Sequence, residues 1–202
     1  MKRVLWLTVL ALALPLTAFA DSVDFTNSGG ILAGSSTGLS LTGSALIAVK
    51  GLNGLGLVTG NDLGGVTFST GALTAGGSMQ MGGTFAAGGS FTITGYGSSG
   101  IPNGTIFSGT FSGPVTWTLV ALANGTHNYT LTGALAGSLN GTFSNGVTVQ
   151  LTINTGHGFF NGRTHISSGD SNVVVPEPGS LSLLGTGLLG LAGVVRRKLK
   201  VS

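Results

Sequence analysis

Cysteine is absent from the 202 residues, which excludes a disulfide framework and any thiolate metal site. Charge is nearly absent as well. Asp, Glu, Lys and Arg make up 6% of the chain, against about a quarter in an ordinary soluble domain. So sparse a charge set excludes a coiled coil, a charged disordered tail and a nucleic-acid binder that works through a basic patch. What the chain has instead is 38 glycines and 42% hydrophobic residues, enough for turns and for the core of one domain of ordinary size.

The formal net charge of +3 is misleading until it is mapped. Lys2, Arg3, Arg196, Arg197, Lys198 and Lys200 lie at the two extreme ends. Between residues 21 and 175 only Lys50 and Arg163 face Asp21, Asp24, Asp62 and Asp170, a net of −2. No basic surface is left there to release counterions from a phosphate backbone, so nucleic acid is not an expected partner.

The N-terminus has the three parts of an export signal. Lys2 and Arg3 form a positive start and Val4 to Leu16 an almost wholly apolar run. Ala18-Phe19-Ala20 then places small residues at the −3 and −1 positions of a cleavage site before Asp21. We expect residues 1–20 to be a signal helix used by the Sec machinery and removed by signal peptidase at Ala18, Ala20 and Asp21.

The C-terminus is organised just as strongly. Pro176-Glu177-Pro178-Gly179 precedes about 16 uncharged residues, Ser180 to Val195, and then Arg196-Arg197-Lys198-Leu199-Lys200. An apolar run of that length sits at the short edge of what crosses a bilayer, and a following basic cluster stays on the cytoplasmic side. Physical chemistry alone therefore gives a single transmembrane helix at about 180–195. Arg196, Arg197, Lys198 and Lys200 would act as its stop-transfer signal.

These residues carry a family resemblance. Val175-Pro176-Glu177-Pro178-Gly179, the Leu/Gly-rich run and the terminal basic cluster together resemble a PEP-CTERM protein-sorting tail, also known under the label of an ice-binding protein C-terminal domain. The resemblance implies recognition of Pro176, Glu177 and Pro178 by an exosortase, a transpeptidase-like membrane enzyme. It further implies export by a Gram-negative bacterium through a single-pass inner-membrane intermediate to the cell surface or extracellular matrix, among exopolysaccharide. It implies removal of the tail, whereas hydrophobicity alone implies its retention. It covers about 25 residues and says nothing about the activity of the rest.

Between the two addresses the sequence alternates. Val66-Thr67-Phe68-Ser69-Thr70, Ser90-Phe91-Thr92-Ile93-Thr94, Val115-Thr116-Trp117-Thr118-Leu119, Tyr129-Thr130-Leu131-Thr132 and Val147 to Ile153 place apolar residues on one face and hydroxyl or amide residues on the other. Threonine favours strands and is at home on a solvent face, so a domain with little charge can still be hydrated. Asn-Gly pairs at 53–54, 103–104, 124–125, 140–141, 145–146 and 161–162 are hairpin signals, because both residues accept positive φ. The expected fold is all-β, an antiparallel β-sandwich spanning 21–165, with a Gly-rich β-solenoid or roll as the alternative. No fixed repeat period supports the solenoid. Residues 21–60 alternate poorly and are expected to be less regular, and 166–175 are expected to be a linker to the tail at 176–202. An outer-membrane barrel is set aside, because its strands need about 9–11 residues and the segments here are shorter and broken by glycine.

The motifs that suggest chemistry are weak. Gly34-Ser35-Ser36-Thr37-Gly38 fits G-x-S-x-G, but the elbow that exposes such a serine needs a helix after it and a His/acid pair. Gly185-Thr186-Gly187-Leu188-Leu189-Gly190 fits a dinucleotide fingerprint, but lies inside the expected span. His127, His157 and His165 lack ligand spacing, and the carboxylates are scattered along the chain. No catalytic residue, metal site or cofactor is expected. Trp117, Tyr96 and Tyr129 are candidates for a sugar-stacking platform, although alternation puts Trp117 on the apolar face. The Thr-x-Thr pairs at 92–94, 116–118 and 130–132 could order water as an ice-binding face does, but any Thr-rich strand looks the same. Asn103, Asn124, Asn128 and Asn140 begin Asn-x-Thr sequons and are read as turn residues. The expected function is that of an exported, non-enzymatic envelope or matrix protein that associates with exopolysaccharide or with copies of itself. The alternative is a carbohydrate-binding surface module.

Overall fold

A computed structural model describes residues 22–174. The expected signal peptide with Ala18, Ala20 and Asp21, and the tail with Pro176, Glu177, Pro178, the expected span and the basic cluster, lie outside the described residues.

Twelve strands form one continuous antiparallel sheet. In chain order they are β1 (Ser22–Ser28), β2 (Ile31–Ser35), β3 (Gly38–Lys50), β4 (Val58–Ser69), β5 (Gly83–Phe85), β6 (Gly88–Tyr96), β7 (Asn103–Phe111), β8 (Val115–Ala121), β9 (His127–Leu139), β10 (Thr142–Asn154), β11 (Arg163–His165) and β12 (Ser168–Val174). The sequence β1-β12-β10-β9-β7-β6-β4-β3 closes on itself because β3 also pairs with β1. The domain is thus an eight-stranded barrel rather than a sandwich or a solenoid. Alternation alone does not separate these, because a sandwich and a small packed barrel both bury one face of every strand.

Two long strands widen the barrel into arms. β3 pairs with β4 along one edge, while its other edge is shared by β2 at Gly38–Thr42 and β1 at Ala45–Lys50. β9 pairs with β10 along one edge, and its other edge is shared by β8 at His127–Thr132 and β7 at Leu135–Leu139. β11 extends the first arm beyond β2, and β5 extends the second beyond β8.

The strands found in the alternating segments are those expected, but three expectations are corrected. Residues 22–50 hold three regular strands. Their alternation is hidden because β3 is bulged between Leu41 and Ser44 and again between Leu46 and Ala48, so its buried positions run 39, 41, 44, 46, 49. The expected linker at 166–175 holds β12 through residue 174, paired on both sides. Strand length was also no argument against a barrel, since β3, β9 and β10 each have 13 residues. The polarity of this barrel is the reverse of an outer-membrane one, which carries its apolar band outside. Here the apolar set points inward and the hydroxyls outward.

Two aromatic clusters fill the interior. Phe68, Phe91, Phe107 and Phe111, from β4, β6 and β7, meet with ring centroids 6.0 to 6.3 Å apart. Gly109 and Gly137, opposite each other on β7 and β9, make room for this cluster. A Cβ on Gly137 would stand 2.5 Å from the Gly109 Cα and 2.9 Å from the Phe107 ring. In the second cluster Trp117 stacks on Tyr129 at 4.8 Å, with Phe160 edge-on at 5.5 Å. Here the Trp117 Nε1 donates to the Met79 carbonyl (3.0 Å) and the Tyr129 hydroxyl donates to the Gln80 carbonyl (2.7 Å) while accepting from the Phe160 amide (3.0 Å). The segment between β4 and β5 is thereby tied to the arm strands.

The Asn-Gly pairs divide by context. Asn140-Gly141 is a two-residue hairpin turn between β9 and β10, with φ of 47° and 83° as a type I′ turn requires. Asn53-Gly54 also has positive φ at both residues, in the short 3₁₀ turn Leu52–Gly54. Asn103-Gly104 lies within β7, and Asn145-Gly146 falls where the register of β10 shifts.

Candidate functional site: a polar groove on the outer wall

Where β8, β9, β10, β12 and β1 lie side by side, register fixes which outward side chains share a row. Thr116, Thr132, Gln150, Asp170 and Thr26 form one row across all five strands. The next row holds Ala134, Thr148, Asn172 and Asp24, and Lys50 of β3 stands opposite Asp24 at its end. On the other flank run Thr118, Thr130, Thr152 and Ser168. The residues between these rows, among them Trp117, Leu131, Leu151, Val149 and Phe25, are buried.

The wall is concave here because the barrel divides. The edge of β9 passes from β8 to β7 at Gly133 and Ala134, and Pro114 stands at the rim where the chain crosses between them. The small floor residues and the departing arm leave a groove of about 720 Å³, lined by Asp24, Thr116, Thr132, Thr148, Gln150, Asp170 and Asn172 among others. Its carboxylates are held in place: Thr26 Oγ1 donates to Asp170 Oδ1 at 2.9 Å, and Asn172 Nδ2 donates to Asp24 Oδ1. Of the five charged residues between 22 and 174, Asp24, Asp170 and Lys50 belong to this one region.

The structure brings together what chain position had separated. Asp24 and Asp170 were expected to be scattered, but the β1–β12 pairing makes them diagonal neighbours. No local pattern announces that pairing. Trp117 and Tyr129 are buried at 1% and 0% exposure, so only Tyr96, at 57%, could offer a ring to solvent, and the three-ring platform does not assemble. Ser36 lies in the two-residue turn of the β2–β3 hairpin, with Ser35 opposite Gly38, and not at a strand-to-helix elbow. His127 opens β9 and His157 lies in the loop after β10, close to each other: the His127 amide donates to the Gly156 carbonyl (2.7 Å) and the His157 Nδ1 lies 3.2 Å from the Gly125 carbonyl. His127 stacks on Phe159 at 4.4 Å, while His165 sits apart in β11. Among the described residues no three His, Asp or Glu side chains are placed to hold a metal ion, and no helix is long and apolar enough to cross a membrane.

Fold and site together define a closed, charge-poor β-barrel with a hydroxyl-covered wall and a polar groove on it. Residues 174–198 match the PEP-CTERM protein-sorting motif, so the chain carries that sorting signal at its C-terminus and its processing falls to an exosortase. No curated protein and no solved structure matches the chain. The match begins at the last residue of β12, and Val174 is paired with Ser22. In sequence, the sorting signal therefore follows the closing strand without a spacer.

Proposed function

We propose that this is a non-enzymatic protein of the cell envelope or extracellular matrix of a Gram-negative bacterium. It enters the export route through the Sec machinery and signal peptidase, passes through a single-pass inner-membrane stage, and is sorted by an exosortase acting at Pro176-Glu177-Pro178. The observation that carries the reading is the sorting motif itself, which follows in sequence immediately after a closed barrel. Everything between the two addresses folds as one unit, and that unit is the product to be delivered. A wall of Thr and Ser with few charges suits contact with neutral polymer or with further copies of the chain. The hairpin setting of Ser36 and the separation of the histidines from the carboxylates favour a non-enzymatic role.

The test is the intact mass of the protein from its native host, with membrane and secreted fractions measured separately. The reading expects a species that begins at Asp21 and ends near the Pro-Glu-Pro motif. It also expects deletion of 175–202 to change the distribution between membrane and medium. A membrane species that retains Arg196 to Lys200, with no processed form in either fraction, would overturn it.

A further inference from the structure

We propose that the groove across β8, β9, β10, β12 and β1 is a binding site for an extended glycan chain free of acidic groups. The inference extends the matrix reading but uses no part of the tail, so the two fail separately.

The argument starts from hydrogen-bonding capacity. Thr116, Thr132 and Thr148 each offer a hydroxyl that donates or accepts, while Gln150 and Asn172 offer amides that do both. Asp24 and Asp170 only accept, and each keeps an oxygen beyond the one held by Asn172 or Thr26. A dense mixture of this kind matches a polyhydroxyl chain, whose groups also donate and accept. Bonds from a sugar hydroxyl to a carboxylate are roughly twice as strong as neutral ones.

Spacing points the same way. Neighbouring strands stand about 4.8 Å apart, so the row from Thr116 to Thr26 runs roughly 19 Å with one polar group per strand. That pitch is close to the length of one hexose unit in an extended chain, so successive sugars would meet equivalent positions. The small floor at Gly133 and Ala134 lets rings approach the backbone. Charge sets the selectivity. Two carboxylates line the groove and, among the described residues, the one cation beside it, Lys50, stands at the end of a row, so a uronic-acid polymer is repelled whereas a neutral or amino-bearing one is not.

The experiment titrates the full-length protein in detergent with cello-oligosaccharides, chitosan oligosaccharides and alginate oligosaccharides of matched length. Affinity is read by calorimetry and location by amide hydrogen exchange. The site predicts binding of the first two with slowed exchange in β9, β10 and β12, and no binding of alginate. Asp170→Asn combined with Gln150→Ala should weaken binding at least tenfold. Thr132→Arg, which fills the groove and keeps both carboxylates, should abolish binding and decides the matter if the first variant does not fold. Thr92→Ala with Ser108→Ala, on outward positions of β6 and β7, should bind as the parent does. Alginate binding as tight as the others, unchanged affinity in Thr132→Arg, or no binding of any oligomer would each overturn the proposal.

Discussion

The Tyr129 hydroxyl stands between the Gln80 carbonyl and the Phe160 amide, donating to one at 2.7 Å and accepting from the other at 3.0 Å. One oxygen thereby links β9, the segment before β5 and the loop before β11. Its ring is wholly buried against Trp117, so water has little access to replace either bond.

Tyr129→Phe keeps the stacking and removes only that oxygen. It leaves a backbone carbonyl and a backbone amide without their partner, which costs about 1–3 kcal/mol for a buried group. The midpoint of guanidinium unfolding should fall with little change in slope, and amide exchange around 78–82 and at Phe160 should accelerate before the barrel itself opens.

Gly137→Ala tests the barrel wall. The new Cβ would lie 2.3 Å from the Ser108 carbonyl oxygen and 2.5 Å from the Gly109 Cα, both backbone, so β7 and β9 would have to separate. A loss on the order of 3 kcal/mol, the upper end of ordinary overpacking, is expected in the same assay.

Gly141→Val tests a turn with open space around it. No atom lies within 4 Å of the added Cβ, so packing predicts no effect. The φ of 83° is the objection, because a β-branched residue there is strained by roughly 1–2 kcal/mol. A lowered thermal midpoint, with the fold retained by circular dichroism, would fit; an unchanged midpoint would contradict the type I′ assignment.

Truncation separates strand from tail. A chain ending after residue 174 should unfold cooperatively at the same midpoint as the full-length protein. A chain ending after Ser167 loses β12 and with it the contacts that join β1 to β10. It should show a broad transition or bind a hydrophobic dye at rest.

Much of the wall was legible in the sequence, and the closure was not. β8 and the second half of β10 announce themselves because unbroken alternation, over five residues in one and seven in the other, has one interpretation. β3 hides because two bulges shift its phase, so a pattern with a period of two reads as none. The barrel itself rests on the pairing of β1 with both β3 and β12, and nothing at Ser22–Ser28 names partners so far along the chain. The groove was illegible for a related reason. Thr132, Gln150 and Asp170 stand in a row only because the β9–β10 hairpin with its bulge at residues 145–147 and the β10–β12 pairing set the register between strands, whereas alternation gives only which face each one takes.

On the proposed export route, the seam between the first strand and the last would set the order of events during delivery. A chain that emerges N-terminus first presents β1 long before its partner, for Asp24 and Asn172 are separated by 148 positions. Until the end of the domain is outside, β1 and β10 each keep an open edge, the kind of surface on which chains aggregate. The closing strand and the start of the sorting motif overlap at Val174. On the proposed route, completion of the fold and presentation of the sorting motif would therefore coincide, and a protein processed there would already have had every residue needed to seal itself.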